Sequence, residues 1–170
     1  MDANSCFVSM CEVHQVNTAP QGPKPGGSAP ANDTPDGAVA LRLGGVVNDQ
    51  TRGAALAPEL AVTACPEEDD RFGRTLWYSF TGTGGPVTID TAGSNFDTVI
   101  AVYDDGVNLL ACNDDIGFDP IGGSFQAALT VDTVDTVEGT TYYVQAGGFD
   151  DVFFTGESNP QFGRLRITIN

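Results

Sequence analysis

The feature that most constrains this 170-residue chain is a series of short rows in which apolar residues alternate with other residues. Such rows occur at residues 39–43, 76–80, 125–131, 142–146 and 165–169. Alternation with a period of two places one face of a strand on a core and the other in solvent. In the row at 76–80, Trp77 and Ser79 fall on the solvent side. The rows predict an all-β fold, an antiparallel β-sandwich.

Two further segments, residues 99–103 and 109–112, are apolar on both faces. A strand with two buried faces is central in its sheet and is covered on its outer side as well. We therefore expect both segments to be central strands. The outer side of these strands could be covered by a loop such as residues 150–161, by the first residues of the chain, or by another molecule.

The first 30 residues differ from the rest of the chain. An apolar stretch at residues 6–16 precedes a Pro- and Gly-rich run at 19–30, which is typical of an extended linker. We divide the chain into an extended N-terminal arm with its linker, residues 1–30, and a sandwich domain, residues 31–170. The arm residues expected to contact a partner are Cys6, Phe7, Val8, Met10, Val13 and Val16.

The charge of the chain is strongly negative, with 23 acidic and 7 basic residues and a formal net charge of -16. Nucleic acids and anionic lipids are bound through Lys and Arg, so neither is expected as a partner. Such a surface attracts cations. No apolar run reaches the ~20 residues that a transmembrane helix needs, so no membrane span is expected.

Six segments within residues 31–170 carry motifs: Thr75–Thr81, Val87–Ile89, Asn95–Asp104, Leu110–Asp115, Gly139–Val144 and Gly163–Ile169. As a set they resemble the bacterial pre-peptidase C-terminal (PPC) domain family. The resemblance implies a jelly-roll-like β-sandwich on secreted bacterial proteins, often beside peptidases, which binds or stabilises without catalysis. It also implies calcium binding, as in some members. No catalytic domain precedes the motifs here, so we expect the module to act alone or by assembling.

The clearest chemical signal is a set of three carboxylates and one amide that a hairpin of residues 99–112 would bring to the same end. A two-residue turn would place Asp97 opposite Asp114, and a four-residue loop would place it opposite Ile116. Either register gathers carboxylates that repel one another unless Ca²⁺ binds them. The candidate ligands are Asp97, Asn113, Asp114, Asp115, Asp150 and Asp151. The alternative is that these residues cap turns and bond local amides.

Four cysteines occur, without a Cys-x-x-Cys pair or a nearby His that would build a zinc site. Disulfides are therefore expected, which predicts an extracellular or cell-surface location. We expect Cys65 to pair with Cys112, a loop closure worth roughly 4 kcal/mol. Cys6 and Cys11 pair with each other if residues 6–11 form a tight turn, and are free or cross-linked elsewhere if the arm is extended.

Catalysis is not predicted. The only His, His14, lies in the arm, where we expect a surface residue, so a Ser or Cys nucleophile has no evident base. The acidic residues crowd one edge without an aromatic-lined cleft, and no phosphate loop or dinucleotide fingerprint occurs.

Two non-enzymatic functions fit these features. In the first, the chain is a structural subunit of an extracellular, pilus-like filament or surface assembly, a homopolymer whose arm donates a strand to a neighbouring subunit. In the second, it is an accessory module that binds a polysaccharide or a fibrous protein. The contact surface would then include Tyr143, Phe149, Phe153 and Phe154, for which packing in the core or a loop is the simpler interpretation.

Overall fold

The computed structural model describes residues 28–55, 71–114, 128–131, 136–150 and 159–170. The arm residues 6–16 lie outside these ranges, as do Phe125 and Ala127 of the third predicted row. Within them the chain forms one 3₁₀ turn, Pro35–Gly37, and nine strands. The strands are β1 (Val39–Ala40), β2 (Gly45–Gln50), β3 (Arg71–Thr81), β4 (Val87–Asp90), β5 (Thr98–Tyr103), β6 (Leu109–Asn113), β7 (Ala128–Val131), β8 (Thr141–Asp150) and β9 (Arg164–Ile169). None of the described residues belongs to a helix long and apolar enough to cross a membrane.

The strands form two sheets. One has five strands in the order β1-β3-β8-β5-β6, and the other has four in the order β2-β9-β4-β7. Neighbouring strands are antiparallel except for β1 and β3, which run parallel. The prediction of an all-β, mainly antiparallel sandwich is therefore confirmed.

The main core lies between the two sheets and takes apolar side chains from both. Among the core residues that belong to the predicted alternating rows are Leu76, Tyr78, Phe80, Tyr142, Val144, Leu165, Ile167 and Ile169. These are the inward sides of three predicted rows, so the alternation identified them correctly. The first row is the exception, because Leu41 is buried whereas Val39 is 37% exposed and Leu43 is 53% exposed. β1 ends at Ala40, so no ladder holds the rest of that row against the core.

A second cluster occupies the opposite face of the five-stranded sheet. Its fully buried members are Trp77, Val99, Ala101 and Tyr103. The prediction that Trp77 faces solvent is wrong, because half-buried side chains such as Leu109 and Tyr143 pack against the cluster. The Trp77 and Tyr103 ring centroids lie 5.4 Å apart.

The two segments predicted as central strands behave differently. β5 is buried along its whole length and lies between β8 and β6, which confirms the prediction for residues 99–103. β6 is instead at the edge of its sheet among the described strands, and all five of its residues are only half-buried. Its apolar residues serve both clusters: Leu110 and Ala111 pack on the main core, and Leu109 and Cys112 pack on the Trp77 cluster.

β5 and β6 form the predicted hairpin, with a register between the two expected forms. Asp104 N–H donates to Asn108 O at 3.0 Å, which leaves a three-residue loop. A bulge then shifts the register, so that Ile100 pairs with Asn113. At the Asp97 end this equals the register predicted for a four-residue loop.

β2 was not predicted, because Val46-Val47-Asn48-Asp49 shows no apolar alternation. It forms by pairing with β9, from Gly45 opposite Ile169 to Gln50 opposite Arg164. Alternate residues of β2 are half-buried and exposed, although none is fully buried. β2 is therefore a strand because it pairs with β9, a core strand, although its own sequence does not predict one.

Candidate functional site

The predicted calcium ligands that the structure describes lie at one end of the five-stranded sheet. Asp97 immediately precedes β5, the strand between β8 and β6. On one side Thr98 pairs with Gly148, which brings Asp97 beside the end of β8 that carries Asp150. On the other side Ile100 pairs with Asn113, and Asp114 follows. The topology therefore gathers these four residues at neighbouring strand ends, while Asp115 and Asp151 fall outside the described residues.

Local hydrogen bonds account for part of this arrangement. Phe149 N–H donates to Asp97 O at 3.1 Å. Asp97 N–H donates to Gln161 Oε1 at 3.2 Å, and Gln161 Nε2 donates back to Asp97 Oδ2 at 3.5 Å. Asp150 Oδ1 accepts from Asn159 N–H at 2.8 Å. The Asp150 carboxylate thus caps a local backbone amide, as the turn-capping alternative expects. The Asp97 carboxylate instead accepts from the side chain of Gln161, a residue whose part here was not predicted.

The segment around Gln161 lies very close to β8. A Cβ atom added at Gly148 would lie 1.8 Å from the carbonyl oxygen of Gln161. Gln161 N–H donates to Phe149 O at 2.9 Å. Only glycine permits this approach of two backbones, and the approach carries Gln161 to Asp97.

Metal binding is not established by this geometry. Within the described ranges, no group of three or more His, Cys, Asp or Glu side chains is placed to hold a metal ion. The Oδ1 atoms of Asp97 and Asp114 are both buried, so two carboxylate oxygen atoms are shielded from solvent at this end of the sheet. Calcium binding therefore stays a prediction.

Cys112 lies in β6 opposite Ala101 and directly before Asn113. It is disulfide-bonded. The other three cysteines, Cys6, Cys11 and Cys65, lie outside the described residues, so the pairing of Cys65 with Cys112 stays a prediction.

The outer side of β2 is an open sheet edge among the described strands, because β2 pairs only with β9. Thr51 N–H donates to Gly163 O at 3.1 Å, so the alternation of an antiparallel ladder turns the N–H groups of Val46 and Asn48 away from β9. Gln50 N–H, which faces the same way, is capped by Asp49 Oδ1 at 2.9 Å. Val46 is also 48% exposed.

Asn32-Asp33-Thr34 fits an N-glycosylation sequon. Asn32 is 3% exposed, and its side-chain amide donates to Trp77 O at 3.2 Å and to Asp49 Oδ2 at 3.3 Å. A glycan on this nitrogen is incompatible with the folded domain. Asn32 instead joins the two sheets, since Trp77 lies in β3 and Asp49 in β2.

The aromatic residues proposed as a contact surface are only partly described. Tyr143 and Phe149 are half-buried and pack against the Trp77 cluster, whereas Phe153 and Phe154 lie outside the described residues. Much of the first two rings is therefore used for packing.

Two arginines converge on one aromatic ring at the end of the β2–β9 ladder. Thr51 and Gly163 are hydrogen-bonded partners, so the next pair along the ladder sets Arg52 opposite Phe162. Arg74 lies in a bulge of β3, has φ 52°, and donates its backbone N–H to Ala55 O at 3.0 Å. The guanidinium carbons of Arg74 and Arg52 lie 4.6 Å and 5.1 Å from the Phe162 ring centroid. Burial and the neighbouring Arg52 charge lower the pKa of Arg74.

No family model matches the sequence, and no curated protein matches it. Among solved structures, a match is the pre-peptidase C-terminal domain of collagenase from Bacillus anthracis, at 9% sequence identity and a TM-score of 0.39. The match covers 78% of this chain and 94% of that domain. The sandwich fold itself rests on the strands and sheets described above.

Proposed function

We propose that this chain is a non-catalytic, extracellular structural subunit that polymerises when its N-terminal arm adds a strand to the β2 edge of a neighbouring subunit. The observation that carries the proposal is the open side of β2, where the N–H groups of Val46 and Asn48 face away from β9. An extended peptide laid along such an edge gains main-chain hydrogen bonds, and exposed side chains at alternate positions provide selectivity. Val46, at 48% exposed, offers an apolar contact there.

The composition of the arm suits this edge. Residues 6–16 contain Phe7, Val8, Val13 and Val16, which favour strands, and the Pro/Gly run at 19–30 supplies a spacer. A donated strand from one copy to the next does not close on itself, so repetition produces a filament. A long open edge favours uncontrolled aggregation. An arm bound along the edge would cover it and so restrict pairing to one neighbouring subunit.

Calcium is proposed to stabilise the subunit at the opposite sheet. Asp97, Asn113, Asp114 and Asp150 bring oxygen atoms to neighbouring strand ends. In a chain of net charge -16, neutralising carboxylates gathered at one place reduces repulsion in the folded state. Ca²⁺ is the fitting ion because it takes six to eight oxygen ligands from carboxylates, amides and carbonyls.

Negative-stain electron microscopy tests the polymer directly. The full-length chain in calcium buffer should form filaments, and a version lacking residues 1–27 should not. The cut at 27 keeps Pro30, whose carbonyl oxygen accepts a hydrogen bond from Asp33 N–H. Adding a synthetic peptide of residues 1–18 to the full-length chain should block filament growth, because the peptide would occupy the β2 edges that the arms need. Filaments from the shortened protein would rule out the arm as the connector.

A further inference from the structure

The two arginines beside Phe162 carry charges that the described part of the protein leaves uncompensated. Neither guanidinium forms an ion pair within those residues, although the chain has 23 acidic residues and only 7 basic ones. Arg74 is 6% exposed, and its Nε is buried without a hydrogen-bond partner. Buried polar atoms are nearly always bonded, so an orphaned guanidinium nitrogen marks a place where a partner is missing.

The Phe162 ring compensates for only part of this cost. The attraction between a cation and an aromatic ring is modest. The penalty of a buried charge without an opposite charge is larger, and Arg52 adds repulsion because both guanidinium groups contact the same ring. An anion placed beside the two guanidinium groups reduces their repulsion and supplies the opposite charge that Arg74 lacks among the described residues.

The charge of the whole chain restricts which anion fits. A surface of net charge -16 repels polyanions such as nucleic acids, so a ligand with a single negative group is favoured. Guanidinium groups bind carboxylates through paired hydrogen bonds. Phe162 is 38% exposed and offers an apolar surface beside the charges. We propose that Arg52, Arg74 and Phe162 form a binding site for a carboxylate attached to an aromatic or aliphatic group. The site does not depend on polymerisation.

The test uses 4-fluorophenylacetate as the probe and its neutral counterpart, 4-fluorophenylacetamide. Fluorine NMR of the probe detects binding to the full-length chain in any assembly state, through line broadening that saturates with protein concentration. The acid should broaden and the amide should not. Arg52→Gln should weaken binding of the acid about tenfold, since it removes one charge-assisted contact from an exposed side chain without threatening the fold.

Arg42→Gln is the matched control, because Arg42 is also exposed and the substitution changes the net charge equally. Its affinity for the acid should equal that of the unaltered chain. The proposal is overturned by equal losses in the two variants, by equal broadening of acid and amide, or by no broadening at about 10 mM probe, where even a weak site is occupied.

Discussion

Replacing Tyr103 by Phe removes one hydroxyl group from a buried chain of hydrogen bonds that joins three adjacent strands. Tyr103 in β5 donates to Gln145 Oε1 in β8 at 2.8 Å, and Gln145 Nε2 donates to Thr75 Oγ1 in β3 at 3.0 Å. Gln145 is fully buried. Tyr103→Phe therefore leaves a buried amide oxygen without its phenol donor, in a place that the ring itself still fills.

The expected loss is about 1–3 kcal/mol, the cost of an unsatisfied buried acceptor. Gln145→Leu should cost a similar amount by stranding the hydroxyl groups of Tyr103 and Thr75. The double variant removes donor and acceptor together, so its loss should be smaller than the sum of the single losses by about 1 kcal/mol.

Urea unfolding followed by tryptophan fluorescence measures these free energies. Trp77 is the only tryptophan, and its ring lies 5.4 Å from that of Tyr103, so the emission reports on this part of the protein. Tyr143→Phe is the control, because Tyr143 is only half-buried, and it should change stability by less than about 0.5 kcal/mol. A loss for Tyr103→Phe as small as that control, or strict additivity in the double variant, would refute the reasoning.

Three further predictions concern backbone packing, calcium and pH. Gly148→Ala should destabilise the domain by at least about 2 kcal/mol in urea unfolding, because its methyl group would overlap Gln161 O, whereas Gly85→Ala, whose Cβ meets nothing closer than 3.9 Å, should be near neutral. Chelating calcium at neutral pH should lower the melting temperature, by an amount equivalent to about 2.7 kcal/mol when the ion had been present at 100 times its Kd; an unchanged temperature removes the site. Burial raises the pKa values of Tyr78 and Tyr103, with Asp49 adding to the effect at Tyr78. Their stabilising contribution is thus complete below about pH 10 and should fall above it by about 1.4 kcal/mol per pH unit for each tyrosine, a slope that Tyr103→Phe should halve.

The core between the sheets was predictable because alternation reports directly on which side of a strand is buried. Leu165, Ile167 and Ile169 were identified in this way. Trp77 was assigned to solvent because alternation assumes one wet face, whereas a second cluster covers its side of the five-stranded sheet. The sequence of β5 is apolar on both faces, and the strand is buried on both faces as predicted. The sequence of β6 is also apolar on both faces, yet this strand lies at a sheet edge and is only half-buried. Composition alone does not distinguish burial on both faces from half-burial on each.

The functional features that depend on contacts distant in sequence were less accessible. Asp97, Asn113 and Asp114 were placed at neighbouring strand ends because a hairpin register follows from local sequence. Gln161 and Arg74 were missed, since Gln161 reaches Asp97 through a close approach to Gly148, and Arg74 is positioned by a bulge. Neither a bulge nor a backbone approach has a reliable signature in a single sequence.

The most direct test of polymerisation at the β2 edge compares Asn48→Pro with Asn48→Ala by electron microscopy and light scattering. Proline removes the outward N–H of an edge strand without removing a β2–β9 hydrogen bond, and alanine keeps that N–H while removing the same side chain. Circular dichroism should show both variants folded. We expect filaments from the unaltered chain and from Asn48→Ala, and dispersed monomers from Asn48→Pro. Filaments of equal length and number from Asn48→Pro would contradict strand addition at β2.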